Sequence, residues 1–445
     1  MEEFMSSLTT LYYLWYKTNF TIIIGAWKRS LYTVSITVLI ASLFYVPAGA
    51  QENNEWPCFH GSHRTNKSAE TRLLKNWPET GPKPLWTVSG LGEGYSSISL
   101  AGGYLYTAGK IEKQTFVFAF DHNGRQIWKK PNGRSWETTM SHARAYTGSR
   151  STPTYDDGLV YHLGETGRLT ALDYKTGKEI WYRDLREQFN ASIPEYGYAE
   201  SVLIDGNRLY CNPAGKKGFM VCLNKKDGSL QWTNNEITGV AGYCSPILVE
   251  YGGYLQIISM SSNCVYGLDR TTGKLLWLVE CVNKQELNNT DPIFHNGYVL
   301  ISSGYGKGSM LIKLNVSGNK IIPKTVWQTS LMDNHHGGVI LHEGYLYGSG
   351  SESRGWFCLD FMTGEQKWIA RGKGSLTYAD SKLYCLEENG TMKLINARHE
   401  QYDEISSFEV PEGGKGMHWA HPVVFGGTLY IRHADKLFAY DIRDK

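Results

Sequence analysis

The chain has 445 residues, with 45 Lys and Arg against 43 Asp and Glu, a formal net charge of +2. That balance excludes a protein that binds polyanions through bulk charge, so no nucleic-acid partner is expected. A hydrophobic fraction of 41% with 20% charged residues excludes a disordered chain and a polytopic membrane protein, while 48 Gly, 14 Trp and 29 Tyr point to an all-β, turn-rich body.

Lys28 and Arg29 precede a 16-residue apolar run, Leu31 to Val46, and small residues follow at Ala48-Gly49-Ala50. The run falls short of the roughly 20 residues that span a bilayer. The pattern predicts a signal peptide or leader over residues 1–50, cleaved after Ala50. Residues 1–27 are longer than an ordinary leader start and carry their own apolar patch, FTIIIGAW. The exported chain would begin Gln51-Glu52 with no Cys for a lipid anchor, and would not be an integral membrane protein. It would hold 42 basic and 41 acidic residues, almost neutral. A periplasmic, secreted or cell-surface location in a bacterial envelope is the expectation.

Residues 51–83 are polar and Pro-bearing and are expected to wrap the body that follows. From Trp86 onward the chain repeats. Trp86, Trp128, Trp181, Trp232, Trp277, Trp327 and Trp368 recur at intervals of 41 to 53 residues, most of them closing segments such as TALDYKTGKEIW and YGLDRTTGKLLW, and Phe408 fills the slot in the last copy. Upstream of each lies a second recurring turn and strand: AGGYLYTAG, DDGLVYHLG, DGNRLYCNP, YGGYLQIIS, HNGYVLISS, HEGYLYGSG, ADSKLYCLE and GGTLYIRH. Each unit reads as four antiparallel strands joined by Gly, Asp and Asn turns, which is a propeller blade. The 360 residues from Trp86 to Lys445 give 45 per blade for eight blades.

The eighth unit stops before its closing strand, and Pro84-Leu85-Trp86-Thr87-Val88 matches the missing piece. Residues 84–445 are therefore expected to form one eight-bladed β-propeller, closed by an N-terminal strand that completes the last blade. The seven Trp and Phe408 are expected to dock each blade on its neighbour, a packing role. Eight cysteines show no C-x-x-C spacing, and no metal site is expected. Cys211 and Cys222 flank a turn, where a disulfide and two buried free thiols are both compatible with the spacing. Asp121-His122-Asn123-Gly124 is read as a hairpin turn rather than a Ca²⁺ loop, since position 12 is Asn132 and not Glu. Gly304 to Ser309, GYGKGS, opens no helix and is read as a hairpin rather than a nucleotide loop.

The motif A-L-D-x-x-T-G-K-x-x-W resembles the blade motif of quinoprotein-type propellers. The lead-in WPCFHGSHRTNKSAETRLLKNWPETGPKPLW and the segments GEGYSS, ARAYTGSRSTPTYDDGLVY and GYAESVLIDGNRLY make the chain similar to PQQ-like β-propeller repeat proteins. That superfamily includes pyrroloquinoline-quinone (PQQ) alcohol dehydrogenases and non-enzymatic members such as the outer-membrane assembly factor BamB. The resemblance implies the fold, but a shared fold does not choose between these functions. Quinone dehydrogenases of the superfamily clamp PQQ between a Trp and a vicinal disulfide and hold Ca²⁺; this chain has no adjacent cysteines.

The innermost strand of each blade starts on one face, around the axial channel. Those starts carry Arg150, Tyr198, Glu200, Tyr243, Asp291, His335, His336, Trp419 and His421, with Arg144 on the insertion Lys129 to Arg150 that precedes blade 2. Carboxylates, imidazoles and cations at a channel mouth suit a small polar ligand. Two functions follow. The first is an exported non-catalytic propeller that binds an envelope protein, an extracellular polymer or a small polar ligand without cofactor. The alternative is a quinoprotein-like oxidoreductase for an alcohol or sugar, with PQQ and Ca²⁺; no catalytic residue is assigned.

Overall fold

A computed structural model describes residues 55–444, so the predicted leader lies outside the described residues. Thirty-two strands form eight four-stranded antiparallel sheets. Each is one blade, running from a short inner strand at the axis to an outer strand at the rim; the inner strands of blades 1 to 4 touch in succession, as do those of blades 6 to 8. Seven blades are contiguous in sequence. The eighth takes Val423–Phe425, Thr428–His433 and Lys436–Asp441 from the C-terminus, and Lys83–Val88 adds as its outer strand through the pairs Trp86 with Ala439 and Val88 with Leu437. First and last segments therefore hydrogen-bond to each other and close the ring, as the sequence predicts. One helix of five residues, Leu185–Phe189, and a single 3₁₀ turn, Arg144–Tyr146, are the helical elements among the described residues. No helix there is long and apolar enough to cross a membrane.

The motif D-x-x-T-G-K-x-x-W has a physical basis at each seam. In blade 2, Asp173 Oδ1 accepts hydrogen bonds from the backbone N–H and hydroxyl of Thr176, which fixes the turn. Gly177 then takes a positive φ of 65° beneath Trp128 of blade 1, where an added Cβ would meet the indole at 2.8 Å. The indole N–H of Trp128 donates to the Tyr174 carbonyl of that turn at 2.8 Å. The same bond joins Trp181 to Lys225, Trp232 to Arg270, Trp327 to Phe361, Trp368 to Arg398 and Trp86 to His122, always to the following blade. The glycine and the tryptophan of the repeat are thus one contact seen from two blades.

Trp277 departs from this pattern. Blade 5 replaces the T-G-K turn by a long hairpin of two ten-residue strands, Gly308–Ser317 and Lys320–Thr329, and Trp277 donates instead to Gln256 Oε1 within its own blade at 2.6 Å. Phe408 has no N–H to donate; it packs on Gly81 and edge-on to Trp77 and Tyr440.

All eight cysteines are free and buried. The open choice at Cys211 and Cys222 resolves to thiols, because Cys222 pairs across the hairpin with Tyr210 and Cys211 with Val221. Adjacent rungs face opposite sides of a sheet. Cys211 accordingly joins the seam of blades 2 and 3, and Cys222 that of blades 3 and 4.

The lead-in does more than wrap the rim. Trp56 bridges to Leu100 of blade 1, and the Pro57 carbonyl accepts from Tyr155 N–H of blade 2. Arg64 donates to the Ser201 and Val202 carbonyls of blade 3 at 3.1 and 2.5 Å. His60 reaches Asp291 beside blade 5 and His421 beside blade 8, and Asn66 donates to the Leu376 carbonyl of blade 7. A segment of about ten residues that meets blades on all sides can lie only on the axis. Residues 56–66 plug the ring, and the chain then leaves over blades 7 and 8, where Leu73 bridges to Arg443.

Candidate functional site

Above this plug the channel mouth forms a blind cavity of about 370 Å³. Phe59 and His421 form part of its lining, their rings 5.0 Å apart. Of the ten channel-mouth residues expected from sequence, six line it: Arg150, Tyr243, His335, His336, Trp419 and His421. Tyr95, Tyr146, Tyr196 and Tyr305 join them. Trp419 is the hub of the aromatic wall, stacked on Tyr146 at 5.0 Å and 23°, tilted against Tyr95 at 5.0 Å and 4.5 Å from His336.

The other four expected residues lie elsewhere, each for a local reason. Tyr198 is buried between blades 2 and 3 and donates to the Pro213 carbonyl at 2.9 Å. Glu200 points into the ring wall between Ala199 and Ser201, where Asn212 donates to it from both backbone and side chain at 2.6 Å. Burial there pushes its carboxyl up to about 7 despite those bonds. Asp291 faces the plug, accepting from Ser245 N–H at 2.6 Å and standing 3.3 Å from His60 Nδ1. Arg144 sits exposed on the 3₁₀ turn.

The insertion before blade 2 divides. Its first residues extend the strand Gln126–Arg134, Trp136 is buried against Tyr196, and only Tyr146 and Arg150 reach the cavity. Alternation explains the loss of Tyr198 and Glu200, since successive residues of an extended chain face opposite ways and Ala199 and Ser201 take the cavity side. The tyrosines that sequence reasoning missed lie just before a blade start, as Tyr95 in GEGYSS and Tyr196 in EYGYAES, or in a hairpin discounted as a nucleotide loop, as Tyr305. Trp136, Tyr146 and the GEGYSS segment were visible signals; their convergence was not.

Two cations line the cavity. Arg150 donates to the Gly148 and Tyr146 carbonyls and lies over the rings of Tyr95 and Trp136 at 5.8 and 5.4 Å. Burial lowers its pKa, and among the described residues no carboxylate stands within ion-pair distance of it. Lys373, by contrast, is paired with Glu388 at 3.2 Å. Glu388 also accepts the Trp419 indole N–H at 2.8 Å and faces His336 Nε2 at 3.4 Å. Burial would raise the Glu388 carboxyl, but His336, Lys373 and Trp419 outweigh it and hold it down to about 2. Desolvation depresses His335, His336 and His421, so all three are neutral at pH 7. The cavity therefore carries one unpaired positive charge.

A match to the family described as outer membrane protein assembly factor BamB spans residues 112–370, more than half of the chain. The chain belongs to that family. It is 26% identical over 269 residues to BamB of Moranella endobia, covering 56% of this chain and 64% of that protein. It is also 24% identical over 313 residues to the quinoprotein alcohol dehydrogenase PedH of Pseudomonas putida, covering 64% of this chain and 46% of that protein. The chain thus spans about half to two thirds of the length of the relatives it matches. Among solved structures, BamB from Moraxella catarrhalis superposes with a TM-score of 0.57 at 15% identity, covering 82% of this chain and 98% of that one. Quinohemoprotein alcohol dehydrogenase from Comamonas testosteroni gives 0.63 at 13% identity over 89% and 82%. At these identities the likeness shows the fold alone, and it bears out the resemblance to PQQ-like propellers.

The cavity lining does not suit the quinone and Ca²⁺ pair. Ca²⁺ takes six to eight oxygen ligands, typically several carboxylates. No Asp or Glu lines the cavity; of the carboxylates behind its wall, Glu388 already engages Lys373, Trp419 and His336, and Asp291 engages Ser245 and His60. A single unpaired cation would also leave a multiply charged anion such as PQQ uncompensated.

Proposed function

We propose that this BamB-family propeller is an exported, non-catalytic binding module of the bacterial cell envelope, and that it captures its ligand in the axial cavity. The observation that carries this reading is the lining of that cavity: aromatic rings and one unpaired cation around a blind end closed by the chain's own lead-in, with no wall carboxylate to act as base or to hold a cation. Membership of a family named for outer-membrane assembly supports the envelope setting, as does the leader expected over residues 1–50. Partners under this reading are an envelope protein, an extracellular polymer or a small polar ligand.

Two measurements test it together. Cell fractionation is expected to place the chain in the envelope or periplasm, with the leader removed. Purified protein supplied with PQQ and Ca²⁺ is expected to oxidise no alcohol or sugar in a dye-linked assay. A cytoplasmic location, or turnover with the quinone, would overturn the reading.

A further inference from the structure

Three properties of the cavity together specify a ligand more narrowly than any one of them. The first is charge. Arg150 is a desolvated cation with no carboxylate within ion-pair distance, buried Glu165 acting on it only from further off, whereas Lys373 is neutralised by Glu388 and the neighbouring histidines are neutral. A partly buried charge left unpaired is costly, and a ligand bringing one carboxylate would offset it.

The second is polarity. The side chains of Asn289, three blades further round the wall from Arg150, and of Ser351 line the cavity. They can exchange hydrogen bonds with hydroxyls, which a simple aromatic acid lacks. The third is the geometry of the rings. Tyr95 and His336 tilt by 42° and 55° against Trp419, and Tyr196 and Tyr243 meet edge to face at 66°. The near-parallel pair, Trp419 on Tyr146, is stacked ring on ring at 5.0 Å with no room between, so the rings form no parallel slot for a flat molecule. They suit a puckered ring that presents C–H groups in several directions.

A monocarboxylate on a hydroxylated, puckered ring is a sugar acid. We infer that the axial cavity binds a hexuronic acid residue, free or at the end of an acidic polysaccharide, with Arg150 on the carboxylate and the Asn289 side chain on a hydroxyl. The inference rests on the proposed binding function and names the ligand class for that site.

Calorimetric titration of the full chain with D-galacturonate, a galacturonate trimer, D-galactose and benzoate tests it. D-Galacturonate should bind saturably and D-galactose roughly tenfold or more weakly, the usual scale for a lost charged hydrogen bond. A trimer as tight as the monomer, or tighter, assigns the site to a polysaccharide end; a weaker trimer assigns it to the free sugar acid. Arg150→Gln should abolish the preference for galacturonate over galactose. Asn289→Leu, which leaves Arg150 in place, should weaken both sugars together. Equal binding of galactose and galacturonate by the unaltered protein, or binding of benzoate alone, would overturn the sugar-acid inference while leaving the cavity a binding site. Absence of binding by every sugar would overturn it too. Quinone-dependent turnover would instead sink the non-catalytic reading on which it rests.

Discussion

At six of the eight seams between blades an indole donates to a backbone carbonyl in a turn of the next blade; on the axis a shorter series joins four successive blade starts, Ser97 N–H to Thr152, Thr152 to Ser201, Ser201 to Ser245 and Ser245 to Asp291, while the contacts of the plug and the cavity are made once each. The seam is specified by residues at fixed spacing within the repeat, so its six copies reinforce one another. The axis is specified by single residues contributed by different blades and by a lead-in that belongs to no blade. His60 meets Asp291 and His421, which lie 231 and 361 positions away in sequence. Stability is thus distributed around the ring, whereas the cavity is built where the repeat is broken.

Breaking a seam should have the largest effect. Trp181→Ala removes a buried indole and its bond to the Lys225 carbonyl, and is expected to cost about 3–5 kcal/mol in urea unfolding. The same truncation at exposed Arg144 should cost less than about 0.5 kcal/mol.

Glu200 gives a sharper test through pH. Its folded carboxyl titrates at about 7 against an ordinary value of 4.5, so the folded state holds the proton more tightly than the unfolded chain. The contribution is fully present below pH 4.5 and is lost as the pH rises to 7, a change of about 3 kcal/mol. Unfolding curves for Glu200→Gln should lack that fall, and the difference from the unaltered protein should vary with pH in that window alone.

On the axis, Arg64→Met leaves the Ser201 carbonyl without its donor and loosens the plug. We expect a loss of about 1–3 kcal/mol, with a weaker grip on any ligand resting on Phe59. Arg144→Ala should change neither stability nor binding measurably, since the 3₁₀ turn holds that side chain in solvent. A binding defect there would mean that the site extends beyond the cavity.

The same contrast explains what could be read from the sequence. The Trp spacing and the T-G-K turns disclosed eight blades and their closure, because a repeated local pattern needs no knowledge of distant contacts. The ring of inner-strand starts was visible for the same reason. Which of those starts face inward was not: Tyr198 and Glu200 turn into the wall while Ala199 and Ser201 line the cavity, a matter of one-residue alternation at a strand end. The plug was hidden more deeply. Nothing in the polar composition of residues 51–83 distinguishes a segment on the rim from one on the axis, and only the pairing of His60 and Arg64 with blades 3, 5 and 8 does so.

Thiol labelling tests the central claim, that the ligand sits in the plugged axial cavity. All eight native cysteines are buried, so a Ser351→Cys variant would offer the one reactive thiol among the described residues, on the cavity wall. The expected result is rapid modification of that thiol by a maleimide, slowed in proportion to occupancy when D-galacturonate is added. Labelling at an unchanged rate under saturating D-galacturonate would contradict the claim, because the ligand would then be bound elsewhere.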